Sequence, residues 1–435
     1  MNDQAEKIEP ELEESQQFGT AGQESAQSGL GLVADIPRIS IQAFCETDPV
    51  AQILQGAAQD RRFSKAHTNV QLGGINAATQ WFSQAPTPNV LIVESRAMRD
   101  GMLEDLARLA EVCDETTKVV VIGHVNDVLL YRTLMSQGVS EYIVAPVTEL
   151  QFIESISGLY SKPDATPVGR IFVFAGAKGG VGSSTLAHNV GWTISERLSD
   201  DVVITDLDLA YGTAGLNFNQ DSTQGIAEAL GAPDRLDEML IDRLLTKCSE
   251  RLSLLTAPGA IDRDFQIEEE TLDIILDTIR HSVPTVIVDM PNVWAPWARQ
   301  TLIKADEVVI TATPEIASLR NTKNLIDMMK AERPNDSMPH LVLNMAAVPK
   351  RPEISAADFA KAIDIKPSIV IPYDPVTFGT ATNNGQMVFE VSPKSKASDS
   401  IMELAKLVSG RSEAGKRGKF SLGPLLGKLT GKGKK

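Results

Sequence analysis

The residues with the clearest chemical potential form a glycine-rich loop in the middle of the chain. Residues 177–185 read Ala-Lys-Gly-Gly-Val-Gly-Ser-Ser-Thr, with Ser183 at the position where the phosphate-binding pattern G-x-x-x-x-G-K-[ST] has its lysine. An apolar run over 171–175 precedes the loop, and a helical stretch over 185–198 follows it. A strand, a loop and a helix in that order are the context in which such a loop binds phosphate. The sequence therefore predicts a nucleotide site that lacks one customary lysine.

The loop's chemistry follows from its glycines. Gly179, Gly180 and Gly182 let backbone N–H groups converge on phosphate oxygens, because no Cβ stands in the way. A lysine beside the phosphates adds a full charge, and two unit charges ~4 Å apart at an effective dielectric of ~20 interact by roughly 4 kcal/mol. Since Ser183 cannot supply that charge, we expect turnover to suffer more than binding. The alternative interpretation is an ordinary glycine-rich turn without a ligand.

Three aspartates follow apolar runs further along the chain. Asp206 and Asp208 come after the run 202–205, and Asp289 comes after the run 285–288. Short apolar runs between helical stretches predict buried parallel strands, whose carboxyl ends face the ligand crevice. Carboxylates there can reach Mg²⁺ or its water shell. The alternative role for each aspartate is a helix N-cap or a turn residue.

With these motifs in place, residues 169–405 resemble a MinD/ParA-type ATPase. A lysine just inside the loop, Lys178, is the mark of that class, and the Ser-Ser-Thr ending of the loop after a receiver-like region is similar to the CpaE/TadZ family of tight-adherence (Flp-type) pilus assembly proteins. The other matching segments are 206–212, the strand ending at Asp289, 305–311, 341–344 and 371–374.

The resemblance implies ATP and Mg²⁺ as cofactors and a role for each matching residue. Lys178 is expected to cross a nucleotide-sandwich homodimer and reach the partner's phosphates, while Asp208 positions the attacking water. Ser184, Asp206 and Asp289 are expected to lie at the Mg²⁺, and Asn344 to read the adenine edge. Because Ser183 departs from the family pattern, hydrolysis is expected to be weak or absent. The nucleotide-binding residues implied are Gly179, Gly180, Val181, Gly182, Ser183, Ser184, Thr185 and Asn344.

Composition narrows the class of protein. The net charge of −16 disfavours indiscriminate nucleic-acid binding, so no nucleic-acid partner is expected. The three cysteines lie far apart, which argues against a disulfide framework and fits a reducing cytoplasm. The five histidines show no ligand spacing and are interpreted as structural or surface residues. No signal peptide is recognisable, and no apolar run approaches the ~20 residues needed to span a bilayer.

The 435 residues predict two or three domains. Residues 1–36 are polar and acidic and are expected to be disordered. Residues 37–160 form a receiver-like domain, and 161–168, with two prolines, form a linker. Residues 169–409 form the ATPase-like domain, and 410–435 form a basic amphipathic tail. The fold class is α/β, with two doubly wound parallel-sheet domains, a flavodoxin/receiver-like one followed by a P-loop NTPase of MinD/ParA type.

The first domain resembles a response-regulator receiver that lacks its chemistry. Strands are predicted at 39–44, 70–72, 90–93, 119–122 and 142–144, with helices at 49–59, 102–113 and 128–137. Glu94 stands where a receiver has its phosphoaccepting aspartate, Gly123 where it has a hydroxyl, and Ala145 where it has a lysine. We therefore expect a pseudo-receiver that serves docking or dimerisation. The alternative is an unrelated α/β domain.

The last 25 residues reverse the charge balance of the chain. Eight lysines and arginines face one glutamate in residues 411–435, and Leu422, Leu425, Leu426 and Leu429 share one helical face. Such a segment suits an anionic membrane surface, to which each basic residue contributes ~1 kcal/mol. The alternative is a disordered basic tail that binds an acidic partner.

These observations predict a cytoplasmic ATP-binding switch at the periphery of the inner membrane. The expected locations include the cell pole. Its expected partners are a second copy of the chain and the proteins of a pilus secretion machine. Two alternatives stay open, a ParA-like DNA-partitioning ATPase and a scaffold that binds no nucleotide.

Overall fold

The computed structural model describes residues 33–114, 116–160, 168–220, 224–262 and 265–411. They divide into two compact units. The first contains the described part of residues 1–165 together with Arg333–Ser337, and the second contains the rest. Each unit is built on a sheet of mostly parallel strands, which confirms the predicted α/β class. Most of the expected linker and nearly all of the basic tail lie outside the described residues.

The first unit contains a five-stranded sheet in the order β2-β1-β3-β4-β5, with every neighbouring pair parallel. The central strand β3 is buried along its whole length, because helices cover both faces. This strand order is that of flavodoxin-like doubly wound folds. The strands are β1 Ser40–Cys45, β2 His67–Leu72, β3 Val90–Ser95, β4 Lys118–Gly123 and β5 Glu141–Val144.

The helices of the first unit follow its strands in alternation. Asp127 caps α4 by accepting the N–H of Leu129, and Thr148 forms a capping box with Gln151 at the start of α5. The helices are α1 Asp48–Ala57, α2 Gly74–Phe82, α3 Arg99–Ala110, α4 Val128–Ser136 and α5 Glu149–Gly158.

Residues 33–36, at the end of the segment expected to be disordered, are part of the first unit. Ile36 is fully buried in the core of the first unit, and its N–H donates to the carbonyl of Arg62 at 2.9 Å. An isoleucine that buries its side chain and pairs its backbone belongs to the packed domain.

A buried charge cluster stabilises the first unit. Asp336 forms ion pairs with Arg61, Arg62 and Arg333. Burial raises the pKa of Asp336, but the three guanidinium groups outweigh it and lower the pKa to about 2.

The second unit contains an eight-stranded sheet in the order β13-β12-β11-β6-β10-β7-β9-β8, in which only the β8–β9 pair is antiparallel. The central strands β6, β10 and β7 are nearly continuous runs of buried residues, as a sheet covered on both faces requires. The strands are β6 Arg170–Gly176, β7 Val202–Asp206, β8 Thr246–Lys247, β9 Leu252–Leu255, β10 Thr285–Asp289, β11 Glu307–Ala312, β12 His340–Ala346 and β13 Ile369–Pro372.

Two apolar clusters, one on each face of this sheet, hold its helices. Helix α6 is buried along most of its length and packs against α16 and the central strands. The helices are α6 Ser183–Leu198, α7 Ala214–Asn217, α8 Ile226–Leu230, α9 Glu238–Leu244, α10 Glu269–Ser282, α11 Pro296–Lys304, α12 Ile316–Glu332, α13 Ala356–Ile363, α14 Pro375–Asn384, α15 Val388–Val391 and α16 Lys396–Val408. Within the described part of the chain, no helix is long and apolar enough to cross a bilayer.

Candidate functional site

The glycine-rich loop connects β6, which ends at Gly176, to α6, which begins at Ser183. Gly180 and Gly182 adopt φ angles of 78° and 88°, in the region that other residues rarely occupy. No other group lies within 4 Å of the position that a Cβ would take at Gly179 or Gly180. The loop backbone is thus open to a ligand at the N-terminus of a 16-residue helix, where phosphate binds readily.

Three asparagine side chains fix the loop's backbone carbonyls. Asn344 Nδ2 donates to the carbonyl of Val181 at 2.8 Å, and Asn321 Nδ2 donates to that of Ala177 at 2.8 Å. Asn292 Nδ2 donates to the carbonyl of Gly176 at 3.1 Å. These bonds leave the loop's N–H groups to face a ligand. No short motif predicts this role for Asn292 and Asn321, because both come from segments distant from the loop in the chain.

The resemblance implies that Asn344 reads the adenine edge. In the structure its side chain bonds to backbone groups of its own chain. Its Nδ2 is bonded to the loop, and its Oδ1 accepts the N–H of Met345 at 2.9 Å. Asn344 nevertheless lines a cleft of about 290 Å³ beside Gly182 and Thr185. Tyr373, Asp374, Pro375 and Phe378 also line this cleft, whose mixture of apolar and polar groups suits a nucleobase.

Ser183, in the position of the missing lysine, is buried, and its Oγ has no hydrogen-bond partner among the described residues. Ser184 and Thr185 follow in the first turn of α6 and are half-buried. The N-terminus of the helix therefore presents hydroxyl groups and backbone N–H groups, but no charged side chain, to the space above the loop.

Lys178, the other lysine of the motif, is occupied within its own chain. Its Nζ lies 2.8 Å from Oε1 of Glu315, and each side chain is 39% exposed. The residue expected to cross to a partner's phosphates is thus held by an ion pair that solvent can reach.

Two of the strand-end aspartates lie side by side. Asp206 and Asp289 end the neighbouring strands β7 and β10 and are directly paired in register. Asp206 accepts the N–H groups of Asp208 and Ala214. Burial, followed by the charge of Asp289, raises the pKa of Asp206 to about 6. Asp208 is half-buried and accepts the N–H of Tyr211.

His188, which the sequence analysis interpreted as a structural or surface residue, completes this group. His188, on α6, is fully buried, and its Nε2 lies 3.2 Å from Oδ2 of Asp289. Its Nδ1 lies 2.8 Å from Nδ2 of Asn217. Burial lowers the pKa of His188, but the neighbouring Asp289 carboxylate outweighs it and raises the pKa. No short motif joins the three residues, since they lie about 18 and 83 positions apart in the chain.

These residues fit a nucleotide and its metal ion. The open glycine backbone and the helix N-terminus suit phosphates, and Oδ1 of Asp289 is buried without a hydrogen-bond partner, as an acceptor reserved for a cation or its water would be. A second cleft, of about 490 Å³, has Gly176, Ala177 and Asn321 in its wall, next to Val293 and Trp294.

In the first unit, Glu94 is the second-last residue of β3 and is itself fully buried. Its Oε2 accepts the N–H groups of Glu46 and Thr47, and its Oε1 accepts the Thr47 hydroxyl at 2.8 Å. His124 Nε2 lies 3.0 Å from the same Oε1. Both carboxylate oxygens are therefore engaged in structural contacts.

Comparison with known proteins places these features in a class. Residues 169–338 match a family profile described as an AAA domain. The septum site-determining protein MinD of Synechocystis is 30% identical over 165 residues, which are 38% of this chain and 60% of that protein. The match thus spans less than two thirds of that relative. A ParA family ATPase from Chlorobium tepidum is 29% identical, with a TM-score of 0.50, over 54% of this chain and 98% of that one.

The second unit therefore has the P-loop fold of the MinD/ParA class. A solved chain of the pilus assembly protein CpaE from Caulobacter crescentus is 45% identical over 98% of its length and 30% of this chain, with a TM-score of 0.29. Over that part of its length this chain is similar to CpaE pilus assembly proteins.

Proposed function

We propose that this protein is an ATP-binding, dimerising switch in the assembly of a pilus secretion machine, with weak or absent hydrolysis. The glycine loop supports the proposal most directly. It has the open backbone and helix N-terminus of a phosphate site, while the side chain in the lysine position is a buried, uncharged Ser183. The similarity to the Caulobacter pilus assembly protein supports the biological setting.

In this proposal the backbone from Gly179 to Thr185 holds the phosphates, and the cleft beside Asn344 holds the base. Ser184, Asp206 and Asp289 hold Mg²⁺, which neutralises phosphate charge when it is bound. Asp208 orients water, although the missing lysine charge leaves this step slow. Binding without rapid turnover suits a switch better than an enzyme.

Lys178 supplies the missing charge from a second copy of the chain. Released from Glu315, it reaches the partner's phosphates and makes dimerisation depend on ATP. The exposed apolar side chains beside the 490 Å³ cleft, Val293 at 54% and Trp294 at 61%, provide surface that a second copy can bury.

The experiment is sedimentation of the purified chain with and without Mg²⁺ and a non-hydrolysable ATP analogue. We expect a monomer without the analogue and a dimer with it, and we expect Lys178→Ala to lose the dimer while still binding nucleotide. Lys323→Ala is the matched control, since Lys323 is another half-exposed lysine in an ion pair of the second unit. A dimer that forms equally well in Lys178→Ala, or a chain that binds no nucleotide, contradicts the proposal.

The proposal also places the switch at the inner membrane, through the basic residues 411–435. Two linked tails bind a surface more tightly than one, so ATP should increase sedimentation with anionic liposomes. Truncation after Gly410 should abolish the increase, and high salt should reduce it. If the truncated chain sediments equally well, the tail is not the membrane contact.

A further inference from the structure

Three titratable side chains, His188, Asp206 and Asp289, lie together beside the nucleotide site. One ligand atom from each lies within 4.8 Å of the others, and all three are buried. Among the described residues, Asp289 Oδ1 has no hydrogen-bond partner, while His188 Nε2 lies 3.2 Å from the other oxygen of that carboxylate, Oδ2. Among the residues that the structure describes, no lysine or arginine pairs with either carboxylate. Two carboxylates held out of water are costly even with the imidazole of His188 beside Asp289, and the unpaired Asp289 Oδ1 adds to that cost.

We propose that His188, Asp206 and Asp289 bind one divalent transition-metal ion, of the Zn²⁺ or Co²⁺ type, without any nucleotide. This site differs from the Mg²⁺ site of the proposed function in having a nitrogen ligand and in binding its ion without ATP. The two sites share the carboxylates of Asp206 and Asp289.

The geometry is close to what such an ion needs. Ligand atoms about 2.0–2.2 Å from a tetrahedral ion lie about 3.4 Å from one another. His188 Nε2 and Asp289 Oδ2, at 3.2 Å, already match one edge of that tetrahedron. The remaining separations, up to 4.8 Å, close by small side-chain rotations. Three protein ligands leave a fourth position for water.

The surrounding contacts orient the ligands. Asn217 faces Nδ1 of His188, and its amide can present either its nitrogen or its oxygen. With the oxygen facing Nδ1, that nitrogen carries the proton, and Nε2 presents its lone pair towards Asp289. Asp206 is fixed by the N–H groups of Asp208 and Ala214, one on each oxygen, which leaves further lone pairs free. All three ligands are thus held on rigid elements, α6, β7 and β10.

The donor set selects the metal. Imidazole with carboxylates suits Zn²⁺ and its neighbours in the first transition series, whereas Mg²⁺ prefers oxygen ligands in an octahedron and keeps its waters. The ion also adds positive charge to a site that has lost its loop lysine at Ser183.

The experiment uses the full-length chain, first stripped with a chelator and then titrated with Zn²⁺, Co²⁺ or Mg²⁺ in the absence of nucleotide. We expect one Zn²⁺ per chain, and visible d–d absorption from Co²⁺ without the near-ultraviolet bands of thiolate ligation. Binding of Mg²⁺ should be at least about 100-fold weaker. His188→Gln should weaken Zn²⁺ binding by more than about 100-fold, since it removes a ligand rather than an outer contact. The matched control is His281→Gln, which removes an exposed histidine.

Zn²⁺ binding that survives in His188→Gln, or that falls equally in His281→Gln, overturns the proposal, as does a folded chain that takes up no Zn²⁺. Should His188→Gln fail to fold, the isosteric Asp289→Asn and the Co²⁺ spectrum of the unaltered chain decide, because thiolate bands there would place the ion at a cysteine. Nucleotide binding is measured separately on the stripped chain with Mg²⁺. A chain that binds ATP but no Zn²⁺ refutes only this inference. A chain that binds Zn²⁺ but no ATP refutes only the proposed function.

Discussion

Breaking the ion pair between Lys178 and Glu315 should strengthen ATP-dependent dimerisation. If Lys178 acts on a partner's phosphates, it must first leave Glu315, whose Oε1 lies 2.8 Å from its Nζ. Glu315→Gln keeps the size of the side chain and removes its charge. The lysine is then free before the dimer forms, and the dimer no longer has to break the pair.

The size of the expected effect on dimerisation follows from the solvent exposure of the Lys178 and Glu315 side chains. Both side chains are 39% exposed, so solvent screens the pair, and its strength falls in the range of about 0.2–1 kcal/mol measured for exposed pairs. A symmetric dimer contains two such lysines. Freeing both is worth about 0.4–2 kcal/mol, which corresponds to about a 2- to 30-fold lower dimer dissociation constant.

The assay is sedimentation equilibrium with Mg²⁺ and a non-hydrolysable ATP analogue, over a series of chain concentrations and at two salt concentrations. Asp327→Asn is the matched control. Asp327 pairs with Lys323 on the exposed face of α12, with side-chain exposures of 53% and 54%, so its removal should leave the dimer unchanged. The gain from Glu315→Gln should shrink at high salt, because screening weakens the pair in the unaltered chain too.

The double variant Lys178→Ala, Glu315→Gln gives the sharpest refutation. The reasoning requires that Glu315→Gln has no effect once Lys178 is absent, since its whole effect passes through that lysine. A gain that persists in the double variant, or a weaker dimer in Glu315→Gln alone, would show that Glu315 acts on the dimer in another way.

Three further outcomes are expected. Ser183→Lys should raise ATP turnover, as followed by phosphate release, from a wild-type rate well below about 1 s⁻¹, and fast wild-type hydrolysis would contradict the role given to this position. A small phosphodonor should leave the intact mass unchanged because Glu94 is buried with both oxygens engaged, so an acyl-phosphate adduct within residues 37–160 would contradict the pseudo-receiver interpretation. Asp336, with its pKa lowered to about 2, should contribute about 2 kcal/mol of stability above about pH 4 that is lost as the pH falls towards 2. In urea titrations, Asp336→Asn should remove this acid dependence, and an unchanged slope between those pH values would count against the arginine cluster.

The sheets could be predicted from the sequence because their strands are buried on both faces. The run 90–93 lies within β3, Val90–Ser95, and the run 119–122 lies within β4, Lys118–Gly123. The run 70–72 recovered only the end of β2, His67–Leu72, because this edge strand begins with polar residues and is never fully buried. A strand that is buried on both faces needs a continuous apolar run, which can be recognised in the sequence. An edge strand has a shorter apolar run, so only part of it can be predicted.

The parts of the candidate site that belong to a local sequence motif could be predicted from the sequence. The glycines must stand in a row for the loop to turn, and the aspartates must end apolar strands, so both signals are contained in a few residues. His188 has no such signal, because it meets Asp289 only after α6 packs onto β10. Asn321 likewise reaches the carbonyl of Ala177 across 144 positions. A contact made by tertiary packing between a helix interior and a distant strand leaves no spacing to recognise.

The charges of the site connect the two proposals. Asp206 and Asp289 are buried side by side, Ser183 provides no charge, and Lys178 is held by Glu315. Nucleotide phosphates would add further negative charge to the same edge of the sheet. Within the described residues, the cationic partner that this edge needs is not supplied by any lysine or arginine in contact with the aspartates. Besides the imidazole of His188, which contacts Asp289, positive charge can come from a metal ion or from the lysine of a second copy. If the proposed function holds, ATP control without a loop lysine would thus require both the ion and the partner, because neither alone balances the charge of the phosphates and the aspartates.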